Sequence, residues 1–220
     1  MRIYAIFVYG FLYLPIGLVI FFSFNSGKYA LDFQGFSVRW YAKALSNPFI
    51  MDALWVSIKV AFISAILSTV FGTMAAMALQ QLKGWKRTVY DSLIYISITI
   101  PGIVIAISTL IALVTLFDFI NPYLTFLAPL FDGTAPKLRL GFVSLIAAHT
   151  LFTMSLVVVI LRARLSGMDR TLIEASEDLY APPLRTFIQI TLPQIAPAIF
   201  AAFLLSFTFS FDDFIISFFV

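Results

Sequence analysis

The sequence predicts an all-α integral membrane protein, a helical bundle of five apolar spans carrying one charge-rich loop. Three observations carry that prediction. Hydrophobic residues make up 61% of the 220 and charged residues 11%, with a mean hydropathy of +1.01, too little charge to keep a soluble domain of this size in solution. Several stretches exceed the roughly 20 apolar residues that cross a hydrocarbon core about 30 Å thick. The charge that does occur is concentrated, with Arg162, Arg164, Arg170 and Arg185 beside Asp169, Glu174, Glu177 and Asp178. Residues 1–220 read as a single transmembrane domain, with spans at about 3–24, 53–79, 89–117, 140–161 and 194–220 and a loop over about 162–193.

Span one holds Pro15, read as a kink whose freed carbonyl is satisfied by neighbours or waters. It begins almost at Met1 and lacks a small-residue cleavage site, which marks a retained span rather than a removed signal. Asn25 to Asp52 is the first polar connection, and its Phe36, Trp40 and Tyr41 suit a membrane interface. Span two carries Lys59 near its start, placed to snorkel outward, and Gly72, Ala75, Ala76 and Ala78 make its later half small-faced for close helix packing. Lys83-Gly84-Trp85-Lys86-Arg87 is a basic hinge. Span three is interrupted by Pro101-Gly102, read as a kink in preference to an unwound segment beside a pathway. Asp118 to Arg139 is polar and proline-punctuated. Span four contains the only histidine, His149, read as a packed hydrogen-bonding residue rather than a ligand. Span five begins near Gln194.

The loop before span five has a pattern of its own. Thr171 and Glu174 have capping-box spacing, and Leu172, Ala175 and Leu179 fall on one helical face. Pro182-Pro183 stops that helix, because a residue preceding proline is pushed out of α geometry. The expected result is a helix-break-helix handle outside the membrane; the plainer alternative is a solvated loop between two spans. Its net charge is zero, which argues against a polybasic lipid-headgroup binder.

With the handle in the cytoplasm, Arg2, Lys83, Lys86, Arg87, Arg162, Arg164, Arg170 and Arg185 lie inside. Lys28, Arg39, Lys43, Lys59, Lys137 and Arg139 then lie outside, a bias of the sign that the positive-inside rule requires. Five spans leave the C-terminus outside, and the sequence stops at Phe218-Phe219-Val220 without a polar anchor, so a sixth span is expected beyond it.

Glu174-Ala175-Ser176, then Ala181, Phe187, Ile190 and Leu192-Pro193, resemble the EAA loop of ABC-importer permeases, whose pattern is roughly E-A-A, three residues, G-A, then F, I and L-P. Two positions depart. Ser176 replaces the second alanine, and Tyr180 sits where the family usually has glycine, so the backbone there cannot take a positive φ cheaply. The resemblance implies a MetI-like bundle, commonly of six spans, whose cytoplasmic handle is gripped by an ATPase. It assigns coupling to Glu174, Ala175, Ser176, Glu177, Asp178, Leu179, Tyr180 and Ala181.

The chemistry is bounded by what the sequence omits. There is no Gly-rich phosphate loop ending in Gly-Lys-Ser/Thr, no cysteine, and one histidine, which leaves no set for ATP hydrolysis, a Cys- or His-based metal site or a Ser-His-Asp triad. No cofactor is expected in this chain, and ATP and Mg are expected on partner ATPase subunits. The net charge of +3 is spread thinly and builds no face for nucleic acid.

The informative pair is Asp212-Asp213, inside an apolar run. Adjacent carboxylates there must meet protein, water or a cation. Either they reach the outer headgroups or cap another helix, or they face a pathway and attract a cation. Neighbouring residues point about 100° apart, so both do not serve one pocket. Ser206-Phe207-Thr208, Asp212-Asp213 and Ser217-Phe218 resemble the spermidine/putrescine branch of these permeases. So do Ser23-Phe24-Asn25, Gly35-Phe36-Ser37 with Arg39-Trp40-Tyr41, and Ser68-Thr69 with Gly72-Thr73.

The resemblance implies an inner-membrane permease importing polyamines by alternating access. Its expected partners are a second, related permease chain, two cytoplasmic ATPase subunits, a soluble substrate-binding protein and the lipid bilayer, with no nucleic acid. The alternatives are a related importer of another small solute and, from a different class, a membrane scaffold without a pathway.

Overall fold

The computed structural model describes residues 2–29, 32–126, 137–169 and 171–220, which separate into two compact units, Met1–Val56 and Ser57–Val220. Arg170 of the handle and residues 127–136 of the connection after span three lie outside the described residues. Most of those described are helical, and five of the helices are long and apolar enough to cross a membrane.

The first unit holds α1 (Arg2–Ser23) and α2 (Arg39–Leu45). The apolar side chains of α1 are exposed along its length, as suits a span coated by lipid or by another chain. Asn25 closes the loop that follows. Its Oδ1 accepts the Gly27 and Gln34 N–H groups at 3.2 and 2.8 Å, and its Nδ2 donates to the Tyr29 and Asp32 carbonyls at 3.2 and 2.7 Å. Every hydrogen-bonding site of a buried amide is thereby used. Trp40 Nε1 and Arg39 Nη2 of α2 donate to the Gly27 and Ser26 carbonyls at 3.0 and 2.8 Å.

The second unit begins within α3 (Pro48–Gln80), a 33-residue helix that starts before and ends after the span read from sequence. One stripe of small residues along it is buried: Ala61, Ala65, Ser68, Gly72 and Ala76. At Gly72 the approach is closest, because a Cβ there would lie 2.7 Å from both Cβ and Cγ1 of Val157. Ala75 is only partly buried and Ala78 is exposed, so the small face that packs is narrower than expected.

Span three is not a kinked helix. Its residues form α4 (Gly84–Thr99) and α5 (Gly102–Phe126), separated by Ile100 in extended geometry (φ −66°, ψ 136°). Pro101 brings both causes of the break: it has no N–H to continue the ladder, and it forces the residue before it out of the α region. The membrane-crossing helix is α5, and it runs nine residues past Phe117 because Phe119, Ile120, Tyr123 and Leu124 continue its apolar face. Asn121 holds its far end by exchanging two hydrogen bonds with the Leu138 backbone, at 2.8 and 3.1 Å.

At the centre lies α6 (Phe142–Ser166). Its Val157, Val158, Leu161 and Leu165 form one core with Ala76 and Leu79 of α3 and with Ile195 and Ala202 of α9 (Leu192–Asp212). Arg162 of α6 pairs with Asp91 of α4, and Arg87 adds a second, weaker contact at 3.7 Å.

Candidate functional site

Two regions carry the residues singled out from sequence, and one continuous helix joins them. The handle begins with α7 (Thr171–Asp178). Its cap differs from the expected Thr171–Glu174 box: Thr171 is already helical, and its N–H donates to Asp169 Oδ1 at 2.9 Å. That bond holds the Asp169 carboxyl below the ordinary carboxylate range, because the ionised form is the better acceptor.

The other end of α7 is a Schellman motif. Tyr180 N–H donates to the Glu177 carbonyl at 2.9 Å, and Ala181 N–H donates to the Ser176 carbonyl at 3.1 Å. Closing it requires a left-handed residue, and Tyr180 takes φ +56°. The geometry that a glycine would adopt freely is thus kept by a tyrosine, at roughly 1–2 kcal/mol for an L-residue.

The faces of α7 are the reverse of a core helix. Leu172, Ala175 and Leu179, which share a face, are all exposed, Leu179 at 81% and Tyr180 beside it at 95%. The residue turned inward is Ser176, whose hydroxyl pairs with Thr186 Oγ1 at 2.8 Å and so locks α7 to α8 (Pro183–Thr186). Glu174, Glu177 and Asp178 are exposed and Ala181 half-buried.

Pro183 opens α8, and from there the helix does not stop at the membrane. A π-helical turn over Phe187–Thr191 leads straight into α9, giving 30 helical residues from Pro183 to Asp212. At 1.5 Å per residue this is about 45 Å, half as long again as a hydrocarbon core. The second part of the expected loop, residues 183–193, is therefore the start of span five. Arg164 at the end of α6 steadies this stretch, donating from Nε and Nη2 to the Gln194 carbonyl at 3.1 and 2.9 Å.

Span five also ends earlier than expected. The helix breaks at Asp213 (φ −76°, ψ 113°) and resumes as the five-residue α10 (Ile215–Phe219). The two acids have separate situations. Asp212 closes α9 and is exposed. Asp213 Oδ2 accepts the Ile216 N–H at 2.8 Å and so caps α10, and Ser217 Oγ donates to the Asp213 carbonyl at 3.0 Å. Ile216 is buried with Ala106 of α5 and Ala148 of α6, which sets α10 beside the start of α5, just after the other helix break. His149 lies under the break with Nδ1 2.8 Å from Ser210 Oγ and Nε2 3.1 Å from Ser217 Oγ.

The family described as binding-protein-dependent transport system inner membrane component matches residues 68–220, which hold both the handle and the broken span. The chain belongs to this family. It is a multi-pass inner-membrane permease, a subunit of a transport system. Among similar proteins is the spermidine/putrescine transport system permease protein PotC of Haemophilus influenzae, 34% identical over 213 residues, covering 97% of this chain and 75% of the relative. PotC of Escherichia coli strain K12 is 32% identical over 213 residues, with 97% and 73% covered. The putrescine transport system permease protein PotI of the same strain is 33% identical over 211 residues, with 96% and 70% covered.

Sequence reasoning missed three working contacts of the permease. Thr186 as the partner of Ser176 has no local signal. Asp91 had one, its i,i+4 spacing from Arg87, but its stronger partner Arg162 lies 71 residues away. Ser210 and Ser217 are spaced by seven, which puts both on one helical face, yet the intervening break hides their common partner.

Proposed function

We propose that this permease is a transmembrane subunit of an ATP-driven importer of polyamines, putrescine and spermidine, working by alternating access. A soluble binding protein delivers substrate from outside. A second, related permease chain completes the pathway, and two cytoplasmic ATPase subunits supply ATP and Mg chemistry and bind the handles. The observation that carries this reading is the continuous helix from Pro183 to Asp212, which ties an exposed apolar handle at one end to a carboxylate at the other. A push on Leu172, Leu179 and Tyr180 is passed along a continuous helix rather than a slack loop, so ATPase closure reaches the broken end of span five. Energetically, the coupling is the difference in ATPase contact between the two permease states.

The cargo follows from the relatives' names together with the chemistry of the break. Polyamines are long cations, and Asp212 offers a carboxylate one residue from Phe211, whose ring stacks on Phe207 at 5.8 Å. Asp212 is the group assigned to the passing cation. Asp213 supports it by capping α10.

The test is uptake of radiolabelled putrescine and spermidine by cells carrying the complete importer at matched expression. Asp212→Asn should reduce uptake at least tenfold. Asp213→Asn should have the milder effect, because asparagine caps a helix nearly as well as aspartate. Uptake of both polyamines that neither substitution alters would remove the acids from the pathway, and an intact, ATP-hydrolysing importer that takes up neither would overturn the cargo.

A further inference from the structure

His149 is the chain's only histidine and is 1% exposed, yet its ring has polar partners on both edges. The partners stand on opposite sides of the break: Ser210 belongs to α9, three residues before Asp213, and Ser217 to α10, four residues after it. Among the described residues no other side chain hydrogen-bonds both helices.

The proton positions follow from the serines. Ser217 has one hydroxyl proton, and it is donated to the Asp213 carbonyl. Ser217 Oγ is therefore the acceptor toward His149, so Nε2 carries hydrogen. The neutral ring then has a free lone pair at Nδ1, which accepts the Ser210 hydroxyl. One tautomer satisfies all three bonds, and its Nε2–H edge lies 3.9 Å from Asp213 Oδ2.

Such a splint has work to do. A helix of five residues leaves most of its backbone groups without an intrahelical partner, so its position depends on what it touches. What fixes α10 is the Asp213 cap, the burial of Ile216 and the ring beneath the break. The Asp213 contacts are local to the break, whereas the ring reaches Ser210, one turn back within α9. The end of α9 is where Asp212 leaves the helix. We propose that His149 is a positioning residue for transport: as the Nε2–H tautomer it splints span five across the Asp213 break and thereby sets where Asp212 presents its carboxylate. This rests on the reading of Asp212 as the cation-facing group.

Two measurements on the assembled importer in membrane vesicles test it. The chain has no cysteine, so Asp212→Cys places a single thiol at the site, and its modification by a cationic methanethiosulfonate can be followed on this chain by mass spectrometry. Adding His149→Leu fills the space without hydrogen bonds and should change the modification rate of that thiol at least fivefold. Adding His149→Gln instead retains one donor and one acceptor and should keep the rate within twofold of the parent. In uptake assays with Asp212 intact, His149→Leu should raise KM at least tenfold with Vmax little changed, and His149→Gln should restore it.

The splint is overturned if the introduced thiol reacts equally fast with and without the imidazole. It is also overturned if His149→Leu lowers only Vmax, in step with the amount of assembled complex. A shifted thiol modification rate in an importer that takes up neither polyamine upholds the splint and overturns the cargo alone.

Discussion

Gly72 gives the sharpest test of how the bundle is held. Alanine there would put a methyl carbon 2.7 Å from both Cβ and Cγ1 of Val157, with the Met154 carbonyl oxygen at 3.3 Å. A β-branched valine in a helix has one strongly preferred rotamer, so it does not swing aside. The helices must separate instead, by about 0.7 Å if ordinary contact at 3.4 Å is to be restored. Overpacking of this kind costs about 1–3 kcal/mol. That corresponds to roughly 5-fold to 150-fold in the folding equilibrium, and to a melting temperature lower by roughly 2–10 °C. The assay is thermal unfolding of the purified complex in detergent, comparing Gly72→Ala, Val157→Gly and the double variant. Val157→Gly is damaging on its own, since it empties a buried site, but in the double variant the two losses should be less than additive by about 1 kcal/mol or more. A Gly72→Ala permease that melts with the wild type, or a strictly additive double variant, would refute the close α3–α6 approach.

Other expectations concern the handle and the ion pair. Tyr180→Gly relieves left-handed strain and gives back part of it as glycine's entropy, for a net gain of about 0.5–1 kcal/mol. Hydrogen exchange at Ala181 should slow accordingly, whereas Tyr180→Ala should leave it within a few tenths of a kcal/mol of wild type; faster exchange in Tyr180→Gly contradicts the motif. Asp169→Ala should fray the start of α7 at neutral pH. In the wild type that cap is present above the ordinary carboxylate pKa and is lost only as pH falls through the lowered folded value, which exchange at Thr171 followed against pH will show. Glu174→Gln should reduce uptake per ATP hydrolysed by roughly tenfold while delivery of substrate from outside stays intact, and unchanged transport counts against its coupling role. Arg162→Ala leaves Asp91 with only the exposed Arg87 and should lower stability by about 1–2 kcal/mol in the same melting assay, with Asp91→Asn adding little to it.

What the sequence made legible was whatever depends on local pattern. Apolar length gave the helical bundle, and the charge cluster with its prolines gave a handle of two helices around a break. The small residues around Gly72 gave the face on which α3 packs. What stayed hidden depends on partners far away in the chain. Pro101 signals an interruption, but whether a helix bends or ends there depends on tertiary packing, here including α10, more than a hundred residues later, which lies beside the start of α5. The end of span five shows the same limit. Asp212-Asp213 interrupts the apolar run between Phe211 and Phe214, but two acids do not by themselves say whether a helix continues past them, and only the capping geometry of Asp213 reveals that it stops. Tyr180 is the opposite case, where local preference was read correctly and overridden: two backbone hydrogen bonds and the Ser176–Thr186 contact outweigh the strain at one residue.

The outward face of the handle has a consequence for biosynthesis. Leu172, Leu179, Tyr180 and Leu184 lie within thirteen residues of one another, each more than half exposed. Adjoining apolar surface of this sort is where folded proteins adhere to one another and where chaperones and proteases engage. A permease made ahead of whatever covers that face is a target for quality control from the moment it inserts. Its yield in cells should therefore track the supply of the covering subunit, and the surface proposed to transmit force in the finished assembly would also serve as a check that assembly has happened.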